Sequence, residues 1–436
     1  MSRILQIISW RTGAVQFLAL VLMLSGCGYR APLHNSYIPV ITDPDAYAGI
    51  RDGYKPLAAL MEKDTGLEPT GGNTLALLPV METKCKVLEE DLQKAHESVY
   101  VEHYRFYADS FGSNLAGQLT GKARAGVDVR VIIDKAGNPK AERDSLRRIF
   151  GGDVRLYYFS EPSLNGTRRD HRKIILVDGQ TGYLGGRNIA DKYVHFWRDA
   201  DMRITGPAVD HLTAVYGMCQ DKVASGKDPL NVAPDLQVRA LRDSVPYLEQ
   251  IRDATVQIVY DNPGDRLLPI RNGFEWAISN AKKYFWFYNP YSPPPATTLK
   301  ALKDAATRGV DVRWITPDVN DVPLEKWMGE SIYRELLEAG VRIFEWQDEY
   351  LHAKEFLSDD YLTFIGSANM DNLSFFMNYE VMAIVYDEAA TRAAARTYLS
   401  DIENHCREIT LQEIDRWPAL RRLRNWFTRA VAGALG

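Results

Sequence analysis

The chain has 436 residues, of which 46% are hydrophobic and 25% are charged, a balance that is typical of a folded globular protein and excludes a disordered or fibrous one. Because a single hydrophobic core seldom grows beyond about 250–300 residues, the length predicts two domains or two fused halves. The formal net charge of −5 gives no overall attraction to nucleic acid, so such a ligand would need a local basic groove.

Residues 1–26 are predicted to be a secretory signal of the lipoprotein type. Arg3 and Arg11 precede an apolar run, GAVQFLALVLML, which is too short for a comfortable membrane span and is soon followed by LSGC. LSGC resembles the bacterial lipobox, and this implies that Cys27 is acylated and becomes the first mature residue. A plain signal peptide or an uncleaved anchor is the alternative. Gly28 follows the cysteine, which by the same resemblance favours the outer membrane, facing the periplasm, over the inner membrane.

Three further cysteines, Cys85, Cys219 and Cys406, are scattered through the chain. In an oxidising compartment they allow one disulfide and leave one thiol over. No CxxC pair or Cys/His cluster has zinc spacing, so we expect no metal site.

The segment 27–70 is predicted to be a linker, because APLHNSYIPVITDPDAYAGI contains prolines and lacks periodicity. A regular pattern begins in the next segment, 71–225. CKVLEEDLQKAH has helical spacing and SVYVEHYRFY resembles a strand. In ARAGVDVRVIIDKAG a helix ends at Gly126 and an alternating strand follows, and another helix leads to GGDVRLYYF.

The segment 226–410 repeats this order. GFEWAISNAKK is helical, YFWFYNPY is a strand, and RGVDVR at the next helix-to-strand step differs from AGVDVR of the first half at one position only. Alternating helices and short apolar strands predict α/β layers. We therefore expect duplicated halves, each a mixed β-sheet flanked by helices, related by a pseudo-twofold axis.

Each half carries the same residue types at the same spacing, and these types can take part in catalysis. The positions are His171, Lys173, Asp178, Gly185 and Asn188 in the first half, and His352, Lys354, Asp359, Gly366 and Asn369 in the second. Five fixed positions coincide by chance at on the order of one site in a million or fewer. Two occurrences at equivalent places of a duplicated unit therefore indicate function.

The residue types suit transfer of a phosphoryl group. Alternate residues of a strand face the same way, so His171 and Lys173 are expected to project together, as are His352 and Lys354. A pseudo-twofold axis would bring both pairs to one seam around a single phosphate. One neutral imidazole can attack phosphorus while the other protonates the departing alkoxide, and the ammonium and asparagine amide groups stabilise the charge. A metal or other cofactor is not needed, because fixed cations take that part.

The two motifs have the HxKxxxxD pattern of the phospholipase D superfamily, and RDHRKIILVDG, WRDADMRITGPAV and GSANMDNLSFFMNYE resemble bacterial cardiolipin synthases most. The resemblance implies a phosphohistidine intermediate, with His171 as nucleophile and His352 as acid and base; the reverse order stays open. It also implies that carboxylates orient the histidines, namely Asp199, for which Asp201 competes, and Glu380.

Two further motif positions have open roles. Asp178 and Asp359 belong to the catalytic motif, yet they either act on substrate or tie loops and neighbouring backbone together. Ser367 follows the glycine of the second motif, where the first has Gly186, so a hydroxyl contact to phosphate is expected on one side only.

The resemblance implies a phosphatidyltransferase that moves a phosphatidyl group between phospholipids such as phosphatidylglycerol. The alternatives are a phospholipase D-type hydrolase and, less favoured by the acidic balance, a nuclease. The intact motifs speak against a non-catalytic scaffold. Familiar cardiolipin synthases often begin with transmembrane helices, whereas this chain has a lipobox-like sequence instead.

The last segment, 411–436, is predicted to be a basic amphipathic helix. RWPALRRLRNWFTRAVAGALG carries five arginines and no acid, and its apolar residues fall at helical spacing. These are Trp417, Leu420, Leu423, Phe427 and Val431. The helix either docks on the domain or lies on a membrane surface with anionic headgroups. YFWFYNPY is the end of a buried strand, or it places Tyr288 and Tyr291 along a lipid groove.

Overall fold

The computed structural model describes residues 47–163, 166–224, 247–264, 267–291 and 293–435. The predicted signal segment, with Cys27, lies outside the described residues. A short 3₁₀ turn, Asp52–Tyr54, precedes the first helix.

The helices are α1 (Lys55–Thr65), α2 (Met81–Lys94), α3 (Ser110–Arg124), α4 (Lys140–Phe150), α5 (Asp191–His195), α6 (Ala208–Ala224), α7 (Pro269–Asn280), α8 (Ala296–Thr307), α9 (Pro323–Glu338), α10 (Asn372–Phe376), α11 (Glu388–His405), α12 (Leu411–Asp415) and α13 (Ala419–Leu435). The strands of the first half are β1 (Thr70–Leu78), β2 (Ser98–His103), β3 (Asp128–Asp134), β4 (Arg155–Phe159), β5 (Glu161–Ser163), β6 (Gly166–Asp170), β7 (Lys173–Val177), β8 (Thr181–Gly185), β9 (Trp197–Arg198) and β10 (Asp201–Thr205). Those of the second half are β11 (Ile251–Asp261), β12 (Tyr284–Tyr288), β13 (Asp311–Pro317), β14 (Arg342–Trp346), β15 (Tyr350–Leu351), β16 (Glu355–Ser358), β17 (Leu362–Gly366), β18 (Asn378–Tyr386) and β19 (Cys406–Ile409).

Of the nineteen strands in the described residues, seventeen join into one large mixed sheet, and β9 and β15 form a separate two-stranded sheet. In the first half the spatial order is β4-β3-β2-β7-β8-β10-β1, with β2, β3 and β4 parallel and the other pairs antiparallel. The second half repeats it as β14-β13-β12-β16-β17-β18-β11. The antiparallel pair of β1 and β11 joins the two orders at the centre. The duplicated α/β fold expected from the sequence is therefore the fold observed.

Local sequence explains where the repeated elements begin and end. Gly126 and Gly309, at the shared GVDVR step, have φ values of 93° and 92° and end the helices before β3 and β13. Only glycine takes this left-handed conformation without steric cost. Asp109 caps α3 and Asp387 caps α11, each accepting a hydrogen bond from a backbone amide of the first turn.

Helices cover both faces of the sheet. Leu88 and Leu119, from α2 and α3, pack on the outer side of the first half, and Phe274 of α7 packs on the second half. Leu212 of α6 and Tyr398 of α11 belong to a central apolar cluster to which both halves contribute. This shared cluster fixes one half against the other, because an interior packed at crystal-like density leaves little freedom to slide.

The described part of the predicted linker is not a linker. Leu57 and Met61 of α1 are fully buried in the same cluster as Phe274 of the second half. The sequence PLAALM has apolar residues at helical spacing, and burying them gives α1 a fixed place. The prediction for 27–70 is therefore wrong over residues 47–70.

The predicted C-terminal helix is divided. It consists of α12 and α13, which are separated by a short turn containing Pro418. Cys85, Cys219 and Cys406 are all unpaired. Within the described ranges, no helix has both the length and the apolarity that a bilayer crossing requires.

Candidate active site

The two motif histidines lie where one half meets the other. His171 occupies the break between β6 and β7, and its backbone amide donates to the carbonyl of Tyr379 at 2.9 Å. His352 occupies the break between β15 and β16, and its amide donates to the carbonyl of Arg198 at 2.8 Å. Each histidine is thus anchored to a strand of the opposite half, through the parallel pairs β6–β18 and β15–β9. The sequence placed each histidine on one strand with its motif lysine, and this is wrong, because the backbone at each histidine leaves its own sheet to make these crossed bonds.

Glu380 of the second half holds the imidazole of His171. His171 Nδ1 lies 2.9 Å from Glu380 Oε1 and 3.0 Å from Oε2. The carboxylate is itself held by Ser367 Oγ at 2.5 Å, Ser374 Oγ at 2.8 Å and Asn378 Nδ2 at 3.0 Å. Although burial raises the pKa of Glu380, His171 and Lys173 outweigh it and the net pKa is lowered. Glu380 is therefore an ionised acceptor that keeps the proton on Nδ1 and the lone pair on Nε2.

Asp199 of the first half holds His352 in the same way. His352 Nδ1 lies 2.7 Å from Asp199 Oδ2, and the backbone amide of Ala200 donates to Oδ1 at 2.8 Å. The shorter aspartate packs directly on Gly186, where an added Cβ would lie 2.1 Å from Oδ1. This contact explains why the first motif has glycine where the second has Ser367.

The motif lysines are buried beside the histidines. Lys173 Nζ donates to the carbonyl of His171, and Lys354 Nζ donates to the carbonyl of His352. Burial lowers the pKa of Lys173 from 10.5 to about 7 and that of Lys354 to about 8, although Glu380 and Asp199 oppose the shift. A dianionic or monoanionic phosphate between the two ammonium groups would favour their charged forms.

All four motif side chains form one electrostatic site. Burial lowers the pKa of His171 to about 4, against the attraction of Glu380, and both Lys173 and Lys354 lower it further. Burial also holds the pKa of His352 well below its usual range, and Lys354, Lys173 and His171 each add to that effect. Both imidazoles are therefore neutral near pH 7, as attack by Nε2 on phosphorus requires.

The two motif asparagines are buried near the histidines. Asn188 accepts from the amide of Arg105 at 3.1 Å and donates to Tyr193 at 2.7 Å, which leaves one amide hydrogen for a ligand. Asn369 is buried and its Oδ1 has no hydrogen-bond partner among the described residues. Unsatisfied buried amide oxygens are rare, and one beside the catalytic groups suits a site that receives a polar ligand.

Ser367 does not offer its hydroxyl to phosphate in this structure. It is fully buried, donates to Glu380 and accepts from the backbone amide of Val381 at 2.9 Å. In this structure Ser367 instead positions the carboxylate that orients His171, and the phosphate contact stays a prediction.

The motif aspartates lie at the far ends of their strands. Asp178 follows β7 and accepts hydrogen bonds from three successive backbone amides, those of residues 96–98, while Asp359 does the same for residues 282–284. Five residues of extended chain separate Asp178 from Lys173, which is roughly 17 Å. Of the two roles left open by the sequence, tying backbone together is the one observed, and direct action on substrate is excluded by this distance.

Asp201 is not a partner of either histidine. Its carboxylate forms buried ion pairs with Arg187 and with Lys84, whose Nζ lies 3.0 Å from Oδ1. Of the two candidates in WRDADM, only Asp199 contacts an imidazole.

Aromatic side chains surround His352, and of these the sequence had singled out only Tyr291. The ring centroids of Trp197, Tyr193, Tyr291 and Tyr350 lie 5.2, 5.5, 6.0 and 6.3 Å from its imidazole. The sequence DKYVHFW next to the first motif was the available signal. His171 has Tyr104 at 5.1 Å. Tyr288 is buried and donates to Asp401 at 2.7 Å, so of the two groove candidates only Tyr291 lies at the site.

A group of possible metal ligands lies next to the first motif but does not suit a cation. Glu102, Asp170 and Cys219 bring their ligand atoms within 4.8 Å of one another. The guanidinium of Arg172 already lies 3.5 Å from Glu102, and burial holds the pKa of Glu102 well above its usual range. A protonated carboxyl beside an arginine is a poor ligand for a divalent ion.

Comparison with known families identifies both halves. The family model described as "Cardiolipin synthase, PLD-like domain" matches residues 88–216 and 276–402, which together make up more than half of the chain. The chain belongs to this family. Both matches contain one complete motif each, so the cardiolipin synthase, PLD-like domain occurs twice and the site described above lies between its two copies.

Curated relatives with the same family name extend over most of the chain. Cardiolipin synthase 1 of Staphylococcus epidermidis is 31% identical over 363 residues, which are 80% of this chain and 71% of that protein. Cardiolipin synthase of Clostridium perfringens is 30% identical over 355 residues, or 78% and 73% of the two chains.

Solved structures are similar in fold. The phosphatidylserine synthase of Haemophilus influenzae superimposes with a TM-score of 0.65 at 16% identity and covers 83% of this chain and 94% of its own. The polyphosphate kinase of Porphyromonas gingivalis has a TM-score of 0.52 at 14% identity, and the match covers 92% of this chain and 58% of that protein. Because their identities are low, these two structures bear on the fold alone.

Proposed function

We propose that this protein is a phosphatidyltransferase of the cardiolipin synthase type, which moves a phosphatidyl group from one phospholipid to a hydroxyl of another. The observation that carries the proposal is the crossed arrangement of His171 with Glu380 and His352 with Asp199. It presents two imidazoles and two lysines to one substrate, and the 30–31% identical relatives named cardiolipin synthase support the choice of lipid chemistry.

In the first step, Nε2 of His171 attacks the phosphorus of the donor lipid. The bond from phosphorus to the headgroup oxygen breaks. His352 takes up a proton on Nε2 from solvent when the anionic donor lipid binds, and it gives this proton to the departing alkoxide, so that a free alcohol such as glycerol leaves. The phosphatidyl group remains on His171 as a phosphohistidine. Lys173 and Lys354 stabilise the non-bridging oxygens as negative charge develops on them.

In the second step the roles reverse. His352, now neutral, accepts the proton of the incoming lipid hydroxyl, whose oxygen attacks phosphorus and displaces His171 Nε2. Atoms and charge balance, because the proton lost in the first step is recovered in the second. The orphaned Asn369 Oδ1 is available to accept a hydrogen bond from a substrate hydroxyl.

The assignment of His171 as nucleophile is supported by its better-held carboxylate. Glu380 has three side-chain donors besides the imidazole, whereas the carboxylate of Asp199 has one backbone donor besides His352. Burial raises the pKa of Asp199, and the attraction of Lys354 and Arg187 offsets this rise only in part. The net pKa of Glu380, in contrast, is lowered. A firmly ionised partner favours the nucleophilic tautomer of His171.

We further propose that the mature protein is a lipid-anchored protein of the bacterial envelope. In this proposal, residues 1–26 are the removed signal, Cys27 carries the acyl chains, and the outer membrane facing the periplasm is its site. The two catalytic halves would then be residues 71–225 and 226–410, with α1 added to the second half. Replacing Cys27 with serine should release the protein from membranes, unless the leader or the C-terminal helix holds it there independently.

The test of the reaction uses purified protein and radiolabelled phosphatidylglycerol, with separation of the lipid products. A diphosphatidyl product that is lost in His171→Ala and retained in the matched control His405→Ala supports transfer. Phosphatidic acid alone would identify a hydrolase, and DNA cleavage without lipid turnover would identify a nuclease.

The nucleophile is tested with an activated phosphodiester, the p-nitrophenyl ester of phosphatidic acid, whose leaving group needs no proton. His352→Ala should then release a burst of nitrophenol and accumulate a phosphoenzyme, whereas His171→Ala should show neither. The opposite pattern would exchange the two roles.

A further inference from the structure

The C-terminal helix α13 binds the rest of the protein through its polar side. Arg421 Nη2 lies 2.8 Å from Glu330 Oε1 on α9, and Asn425 Nδ2 donates to the other oxygen at 3.2 Å. Glu330 is only 5% exposed, so these contacts are largely removed from water. Arg429 Nη2 lies 2.9 Å from Glu335, one turn further along α9.

The opposite side of α13 exposes large apolar side chains. Leu420, Leu423 and Phe427 are 78%, 60% and 53% exposed, and Trp426 is 67% exposed. Positions i, i+3 and i+7 form one stripe along a helix. A helix on the surface of a globular protein normally turns such a stripe towards the core. Here the amphipathic helix is inverted, with the stripe facing away from the protein.

The charged side chains of α13 itself are all arginines. Arg416 and Arg422 are exposed, and no acidic residue occurs between Arg416 and the end of the printed chain. An apolar stripe with arginines beside it and no carboxylates matches the interface of a bilayer that contains anionic lipids. Another acidic surface patch would satisfy the arginines but not the exposed leucines.

Two further exposed apolar side chains lie along the chain segment that links the partner helix α9 to the active site. Trp327 on α9 is partly exposed, and the guanidinium of Arg424 lies 5.1 Å from its ring. Val322, 40% exposed, precedes α9 and directly follows Asp321. Asp321 accepts hydrogen bonds from Tyr291 at 2.8 Å and from Tyr350 at 2.9 Å, and both tyrosine rings lie beside His352.

We propose that α13 lies in the membrane–water interface and orients the His352 side of the active site towards phospholipid headgroups. Leu420, Leu423 and Trp426 enter the boundary of the acyl chains, while Arg416 and Arg422 contact anionic headgroups. The orientation of the site rests on the proposed function, whereas the contact of α13 with the bilayer does not. A second copy of the chain or another protein on this stripe is an outcome of the test below.

Insertion of α13 is measured in the full chain through Trp426, with vesicles of phosphatidylethanolamine and phosphatidylglycerol whose acyl chains are brominated. The inactive His171→Ala background prevents consumption of the lipid. We expect bromine to quench a fluorescence component that is missing in the additional Trp426→Phe variant, and we expect weaker quenching in phosphatidylcholine vesicles. An equal response with and without Trp426 would overturn the proposal, even if Cys27 anchors the protein.

The consequence for activity is measured with the double substitution Leu420→Ser and Leu423→Ser. Turnover of phosphatidylglycerol in vesicles should fall at least tenfold, while turnover of a short-chain, monomeric phosphatidylglycerol stays unchanged. Leu399→Ser, at an exposed position of α11, is the matched control and should leave both rates unchanged.

The outcomes separate the two proposals. Quenching through Trp426 without turnover of any lipid would leave the membrane surface intact and refute the transferase. Equal turnover of vesicles by the double variant and the parent would refute the orienting role of α13. Concentration-dependent dimers that disappear in the double variant would assign the stripe to a second copy and overturn the membrane assignment.

Discussion

Replacing Lys173 with methionine should stabilise the protein at low pH while abolishing its activity. Lys173 is 2% exposed, and mainly because of this burial its pKa falls from 10.5 to about 7. An unfolded lysine keeps its proton up to about pH 10.5. Between these values the unfolded chain binds more protons than the folded one, so stability rises with pH.

The magnitude follows from the same linkage. Lowering the pKa of Lys173 from 10.5 to about 7 reduces the free energy of unfolding by on the order of 5 kcal/mol, because each pKa unit corresponds to about 1.36 kcal/mol. The cost is complete below about pH 7 and vanishes above about pH 10.5. Methionine removes it but also removes the hydrogen bond to the carbonyl of His171, worth roughly 1–3 kcal/mol. We therefore expect a variant about 2–4 kcal/mol more stable than the parent at pH 6 and roughly 1–3 kcal/mol less stable at pH 10.5.

Urea-induced unfolding, followed by far-UV circular dichroism at pH 6, 8 and 10.5, shows at each pH whether the variant is more or less stable than the parent. Lys300→Met, on the exposed surface of α8, is the matched control and should show a small difference that does not change with pH. A Lys173→Met protein that is less stable than the parent at pH 6, or a difference independent of pH, would refute the reasoning.

Four other changes test separate parts of the site. Ser367→Ala removes a hydrogen bond to the charged Glu380 that is worth about 1.5–3 kcal/mol. We therefore expect kcat to fall roughly ten- to hundredfold at constant KM. A raised KM at constant kcat would instead make Ser367 a phosphate contact. Asp201→Ala should lower the free energy of unfolding by about 3–5 kcal/mol, because it leaves Arg187 buried and without this partner. Asp199→Asn should abolish turnover with less effect on the free energy of unfolding. Denaturation and rate assays that give the reverse pattern would contradict both roles. Chelation with EDTA should leave the rate of lipid turnover unchanged, and a rate restored only by added metal would contradict catalysis by fixed cations.

The repeated motif allowed most of the site to be predicted, because the chain contains its own comparison. His171 and His352 occupy equivalent places in two copies of one helix-and-strand order, and the order itself follows from hydrophobic periodicity and from glycines such as Gly126. Local patterns of this kind depend on neighbouring residues only. They can therefore be recognised without knowledge of the tertiary structure.

The crossed pairing could not be predicted, because it depends on how the halves are placed. Glu380 is 209 residues from His171, and Asp199 is 153 residues from His352. The sequence indicated that each carboxylate follows a motif but not which histidine it serves. The function of Ser367 was missed for a related reason, since a hydroxyl next to a phosphate site can face the ligand or the carboxylate behind it.

Amphipathic segments show a second limit of sequence patterns. PLAALM in α1 and the stripe of α13 both have helical periodicity, yet the first is buried and the second is exposed. Periodicity indicates which side of a helix is apolar, and the partner decides which side is covered. For α13 the partner is the buried carboxylate of Glu330, which attracts the arginine side of the helix.

The crossed pairs also explain how a symmetric fold can assign different roles to two identical side chains. Each imidazole depends on a carboxylate from the opposite half, so neither half contains a working histidine by itself. The symmetry is broken around the carboxylates, where Glu380 with Ser367 on one side is matched by Asp199 with Gly186 on the other. It is broken again by the aromatic rings of Tyr193 and Trp197, which pack around His352, the histidine to which we assign the proton transfers. A duplicated chain can acquire such differences independently in each half, whereas a symmetric dimer of one half could not.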